Sequence, residues 1–288
     1  MPPQPRILLL GGHGKVSLHM TPKILARSWS LISLIRNEGH KGDILEAAKK
    51  AEELKSEGTE VGKLEFLVRS LEEVGCVRDA REILEEARPD WVVWCAGAGG
   101  KGDKSRTYAI DQNACIHFIR ASISTPSISK FLLVSALICR RSRAPWWTDE
   151  DWNYVERVNR EVLSDYYNAK LKADQVLVVE GGMRKDWVWM DLRPGTLGDG
   201  KEKGRVLLGK TGGRGAVTRG DVAEVVVRLL GVEGGRSGYF DLVNGDGEGD
   251  GDEGVEIGEA VERVLDSGVD ARDGEEFGDL VGSDFLKL

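Results

Sequence analysis

The chain has 288 residues, of which 41% are hydrophobic and 31% charged, with a formal net charge of −8. That size supports a full core in one domain, or one domain with a lobe, and no apolar run approaches the ~20 residues that span a bilayer. Residues 241–288 hold sixteen Asp and Glu against three Lys and Arg, a net of −13 that leaves +5 on residues 1–240; without a strongly basic footprint, nucleic-acid binding is not expected.

The opening MPPQPR lacks the basic-then-apolar layout of a secretory signal. Cys76, Cys95, Cys115 and Cys139 have no C-x-x-C spacing and the four His are scattered. Neither a metal site nor a disulfide framework is expected, and a cytoplasmic setting with buried thiols fits best.

The first strand, RILLLG (6–11), runs into Gly11, Gly12, His13, Gly14, Lys15, Val16 and Ser17. Gly11-x-x-Gly14-x-x-Ser17 suits a phosphate-binding turn: Gly11 for the tight turn, Gly14 for close backbone approach, and a small third residue for helix packing. The helix predicted over 17–27 would offer its N–H groups and positive dipole end to the phosphates. The second strand (30–37) ends in Arg36, where an acidic residue would bind ribose hydroxyls and a cation instead suits a 2′-phosphate. Lys15 could add charge to the same ligand.

A helix over 43–57, a strand over 63–70 and a helix over 77–87 precede the fourth strand, DWVVWCAG (90–97). Its end, CAGAGGKG, brings the small residues Cys95, Ala96 and Gly97 to where a cofactor and backbone approach closely. A helix over 107–122 leads to the fifth strand (130–137), which carries Ser135. RAPWWTDEDW (143–152) follows, and Trp146, Trp147 and Trp152 either line an apolar pocket or anchor the loop. A long helix over 156–181, a strand over 188–195, a helix over 220–231 and a strand over 238–243 complete the alternation. Near-continuous apolar strands separated by helices predict a parallel sheet covered on both faces. NGDGEGDGDEG (244–254) is not a calcium loop, because Val255 stands at the twelfth position. A short helix near 255–265 and a loosely ordered end are expected after it.

Tyr166 and Lys170, four apart on the long helix, share one face. An ammonium beside a phenol favours the phenolate and lowers a pKa that starts near ~10. Such a phenol can protonate a carbonyl oxygen or deprotonate an alcohol.

The glycine turn, LIRN, CAGAGG, VSA, YYNAK..AD..L and DLRPGTL stand in the order seen in short-chain dehydrogenase/reductases. Over residues 6–244 the chain resembles the atypical, extended-type branch of their NAD(P)H-binding members. The resemblance implies an α/β, doubly wound, Rossmann-like domain over 1–244; the acidic segment 245–288 lies outside it and is expected to be part of a small C-terminal lobe or partly disordered. It implies that the turn residues Gly11 to Val16, Arg36, Cys95, Ala96, Gly97, Lys170, Pro194, Gly195 and Thr196 bind NADP(H). Tyr166 would be the catalytic acid and base, Lys170 would bind the nicotinamide ribose, and Ser135 would orient the substrate. Asp111 and Ala136 depart from the family pattern at the positions of its usual Asn and Ser. The implied activity is an NADP(H)-dependent reductase or dehydrogenase of a small molecule, monomeric or homodimeric. The alternative is a non-catalytic NADP(H) sensor that binds a protein partner.

Overall fold

The computed structural model describes residues 4–98, 103–245 and 253–277. The chain runs β1 (Arg6–Leu10), α1 (Lys15–Leu25), β2 (Ser30–Ile35), α2 (Lys41–Lys49), α3 (Ala51–Leu54), β3 (Leu64–Val68), α4 (Val77–Ala87) and β4 (Trp91–Trp94). It continues through α5 (Lys104–Thr107), a π-helical stretch (Tyr108–Ala114), α6 (Cys115–Ile123), β5 (Lys130–Val134), α7 (Asp149–Arg157), a second π-helical stretch (Val158–Val162) and α8 (Ser164–Gly181). The last elements are β6 (Val188–Pro194), β7 (Thr196–Gly198), β8 (Arg205–Gly209), β9 (Ala216–Thr218), α9 (Arg219–Gly231), β10 (Gly238–Asn244), β11 (Val255–Glu256) and α10 (Ile257–Asp266).

Alternation along β1 explains the layering. Leu8 and Leu10 face one layer with Ile83 of α4, Phe118 of α6 and Leu177 of α8. Ile7 and Leu9 face the other with Met20 and Ile24 of α1 and Val226 of α9. Side chains that point alternately to opposite faces need helices on both. The sheet order is β3-β2-β1-β4-β5-β6-β10-β8-β11. It is parallel from β3 to β10, and β8 pairs antiparallel with both β10 and β11. The strand order reverses between β1 and β4, so a crevice opens there beyond the strand ends.

The long helix expected over 156–181 is divided. Thr148 and Asp151 form a capping box that starts α7 earlier, and the chain breaks at Leu163 before α8. Strands β7, β8, β9 and β11 were not expected, since runs of two to five residues bear no clear periodicity.

Beyond β10 the chain rejoins the same body, with Ile257, Val261 and Val264 of α10 in the α9 core layer. Residues 246–252 of the acidic loop and 278–288 of the end lie outside the described residues. Residues 271–276 are strapped to the loop after β5. There Arg140 reaches Glu275 at 3.3 Å, with both side chains cut off from water, and it also donates to the Ala271 and Asp273 carbonyls. Cys115 and Cys139 are buried, while Cys76 and Cys95 are half-buried. Among the described residues no helix is long and apolar enough to cross a membrane.

Candidate active site

The ends of β1, β2 and β4 are flush, with Leu10 opposite both Leu34 and Trp94. The residues that follow them therefore converge on one crevice. A cavity of ≈ 270 Å³ lies there, lined by Gly11, His13, Gly14, Arg36, Cys95, Ala96 and Gly97 among others. Gly11 has φ +85°, and a Cβ on it would stand 2.6 Å from Ala96 Cα; no larger residue fits this turn. Gly14 closes the turn by donating its N–H to Gly11 O at 2.9 Å. It also precedes α1 without a side-chain cap, which leaves the first-turn N–H groups facing outward without a side-chain acceptor. A Cβ on Gly97 would meet Asp111 Oδ1 at 2.8 Å. Asp111 Oδ2 accepts the Ala98 N–H at 2.8 Å, and burial pushes this carboxyl above its ordinary range.

The far wall is basic. Arg36 is exposed and makes no hydrogen bond or ion pair among the described residues. Arg69 and Arg106 also line the cavity, held by Glu86 at 3.0 Å and Glu72 at 2.8 Å. His13 stacks on His40 with ring centroids 3.9 Å apart and meets Asp43 at 2.7 Å. Burial, followed by the nearby His13 and Arg36, holds His40 below the usual imidazole range. Three expected residues of the turn lie elsewhere. The Gly12 N–H donates to Leu34 O at 2.9 Å, and the glycine packs so tightly on β2 that a Cβ would overlap Ser33 Oγ. Val16 is buried in the α1 layer. Lys15 turns away to Asp199, at 2.9 Å.

A second cavity, of ≈ 460 Å³, brings Tyr166 together with Pro194, Gly195 and Thr196. Gly195 is needed in this turn, because a Cβ would come within 2.5 Å of Gly215 O. The Tyr166 hydroxyl makes no hydrogen bond among the described residues. Lys170, one helical turn on, is buried and donates from Nζ to Val134 O at 2.8 Å. Burial works against its charge, but Tyr166, Asp111 and Asp174 outweigh that and raise it. For Tyr166 the balance is the reverse of the sequence expectation. Burial raises the phenol and the Lys170 charge does not overcome it, so the group stays protonated.

Ser135 does not reach this cavity. Its hydroxyl donates to Asp174 Oδ2 at 2.7 Å, and Ala136 lines the wall instead. Strand pleating turns neighbours to opposite sides, so Ser135 faces α8. Trp146 and Trp147 both donate their indole N–H to Thr211 O, at 2.7 and 2.8 Å. They anchor the loop, and none of the three tryptophans is among the lining side chains. Tyr154, Val158 and Leu163 supply that wall. Tyr167 points away and donates to Arg140 O at 3.0 Å.

Charges continue beneath the cavity in the sheet. Arg193 holds Asp241 at 2.6 Å with both side chains fully buried, and neither oxygen of the neighbouring Asp191 finds a partner. Burial pushes Asp174 up to about 6, opposed chiefly by Lys170. Asp191 and Arg193 inside the apolar run WMDLRP were the available sequence signal for this cluster. Arg69 could have been found too, since it follows the third strand as Arg36 follows the second.

The model of a family described as NAD(P)H-binding matches residues 11–232. The chain belongs to this NAD(P)H-binding family. Within it the chain is similar to the UPF0659 protein C216.03 of Schizosaccharomyces pombe, 30% identical over 223 residues that cover 76% of this chain and 82% of that protein. It is also similar to an uncharacterized sugar epimerase, YhfK, of Bacillus subtilis, 31% identical over 54% of this chain and 64% of that protein. Among solved structures it resembles a putative NAD-dependent epimerase/dehydratase from Bacillus halodurans, with TM-score 0.66 and 23% identity over 90% of this chain and 99% of that one. The family's fold is the Rossmann-like sheet described above, as in the atypical short-chain dehydrogenase/reductase branch.

Proposed function

We propose that the chain is an NADP(H)-dependent reductase or dehydrogenase that acts on a carbonyl or alcohol of a small molecule. The observation that carries this reading is Tyr166: a protonated phenol, free of hydrogen-bond partners among the described residues, facing a cavity bounded by the 194–196 turn. A dinucleotide fits the neighbouring crevice, where Gly11 and Gly97 leave no room for a Cβ and α1 presents an uncapped N-terminus. Arg36, exposed and unpaired among the described residues, would form charge-assisted hydrogen bonds with a 2′-phosphate. When bound, the reduced nicotinamide would supply the hydride.

The chain's residues account for the remainder. Tyr166 donates its proton to the carbonyl oxygen as the alcohol forms, and a phenol whose burial keeps it protonated is suited to that direction. The buried ammonium of Lys170 then stabilises the phenolate left behind, because two opposite charges interact more strongly where water is excluded. Pro194 and Gly195 would border the nicotinamide ring, and the aliphatic wall would keep water from the reacting carbon. Substrate orientation through Ser135 has no support, since its hydroxyl is bound to Asp174.

The test is turnover. With NADPH and a panel of aldehydes, ketones and quinones, an accepted substrate oxidises the nucleotide, and Tyr166→Phe abolishes that oxidation while NADPH still binds. Full activity in Tyr166→Phe would exclude the mechanism. The diverted Ser135 favours one second reading, an NADP(H) sensor that signals to a protein partner. Tight NADPH binding with no oxidation on any substrate would support it.

A further inference from the structure

The Tyr166 cavity has side-chain charge of one sign. Its lining includes two arginines, Arg214 and Arg219, and no Asp or Glu, against aliphatic side chains such as Leu137, Val158 and Leu197. The two guanidinium groups differ in what offsets them. Arg214 is held by two carboxylates, Asp151 at 3.0 Å and Glu150 at 2.7 Å. Arg219 shares a single carboxylate with a second cation: its Nη1 meets Asp199 Oδ1 at 2.5 Å, while Lys15 takes Asp199 Oδ2 at 2.9 Å. The first cluster is therefore net negative and the second net positive. Arg219 is also the less exposed of the two, at 18% against 42%, so its field is less screened. A guanidinium carries five N–H donors in a fixed fork, and Nε and Nη2 of Arg219 make no hydrogen bond among the described residues.

We propose that the substrate of this cavity is an apolar molecule bearing an acid group, carboxylate or phosphate, which Arg219 binds. This deepens the reductase reading and rests on it for the identity of the reacting end. The aliphatic wall takes the body of the molecule, and the acid group on Arg219 holds its far end while the carbonyl faces Tyr166. A polyhydroxylated sugar matches this wall poorly. Its hydroxyls would exchange water for methyl groups, and a buried hydroxyl without a partner is unfavourable. Tyr154, Tyr166 and Thr196 are the neutral polar side chains lining the cavity among the described residues.

Calorimetric titration with 2-naphthoate, 2-naphthyl phosphate and 2-naphthamide tests this, in the presence and in the absence of NADP+. Either anion should bind about tenfold or more tightly than the amide, and which anion prevails separates carboxylate from phosphate. Arg219→Gln should abolish the preference and leave NADP+ affinity within a few-fold of the parent. Arg219→Lys should restore part of it, which a merely structural arginine would not. The proposal is overturned if the amide binds as well as both anions, if none of the three binds, or if the preference survives in Arg219→Gln. A chain with no NADP+ affinity would instead fail the reductase reading, and the titrations without nucleotide still decide the acid group.

Discussion

Two cavities share the same sheet edge, and they are built by opposite means. The crevice over β1, β2 and β4 centres on the tight Gly11–Gly14 turn and Gly97, with Arg36, Arg69, Arg106 and the His13–His40 stack around it. The Tyr166 cavity draws on strand ends, loops and helices, and its side chains are apolar apart from its tyrosines, one threonine and two arginines. Backbone N–H groups recognise a phosphate whatever it is attached to, whereas a side-chain wall recognises one shape.

Single changes should damage one cavity and spare the other. The largest expected effect is that of Tyr166→Phe, with kcat down by roughly 10²–10⁴ and NADPH affinity unchanged, as read from steady-state rates and nucleotide titration. Losing both together would mean that the two cavities are one site. Next comes Arg36→Ala, which should cut the preference for NADPH over NADH by roughly 10–100-fold, the worth of a hydrogen-bonded charge, with Tyr166 chemistry intact when NADH is saturating. An unaltered ratio of the two dissociation constants would remove the 2′-phosphate from Arg36.

Asp174→Asn sharpens the comparison through pH. Burial lifts the Asp174 carboxyl to about 6, above its unfolded value of ~3.9. The folded state thus binds more protons than the unfolded chain between these values. The stability this contributes is complete below pH ~4 and lost as pH rises through about 6. Across that window the parent should lose ~2–3 kcal/mol relative to Asp174→Asn, measured as the difference of their denaturant unfolding curves. Parallel curves at every pH would show that Asp174 titrates normally. The smallest effect is expected for Ser135→Ala, where KM and kcat should stay within a few-fold because Asp174 already takes the hydroxyl. A hundredfold fall in kcat would return Ser135 to the reacting centre.

The sequence disclosed the glycine-built cavity well and the other one poorly, for a physical reason. Gly11, Gly14 and Arg36 lie where strands end, and strand ends are legible from apolar runs and turn residues. Tyr166 and the turn Pro194-Gly195-Thr196 were legible as well, and the structure brings them together. The fate of Ser135 depended on a pleat phase that a shift of one residue reverses. The wall fell to Tyr154 rather than to the tryptophans because α7 begins at a capping box inside TDED, and the chain then passes through a π-helical stretch. Arg219 could not be found from neighbours in sequence, for its partner Asp199 and the Lys15 that shares that carboxylate arrive from 20 and 204 residues away.

The Arg140–Glu275 strap has a consequence for the order of assembly. Every lining residue of the crevice over β1, β2 and β4 precedes position 111, so that lining is made early in translation. The lining of the Tyr166 cavity runs as far as Arg219, and the loop after β5 that contributes to it is strapped only once Glu275 emerges to meet Arg140. During synthesis, which favours N-terminal structure first, the lining of that crevice would be in place well before the parts of the Tyr166 cavity had all been made.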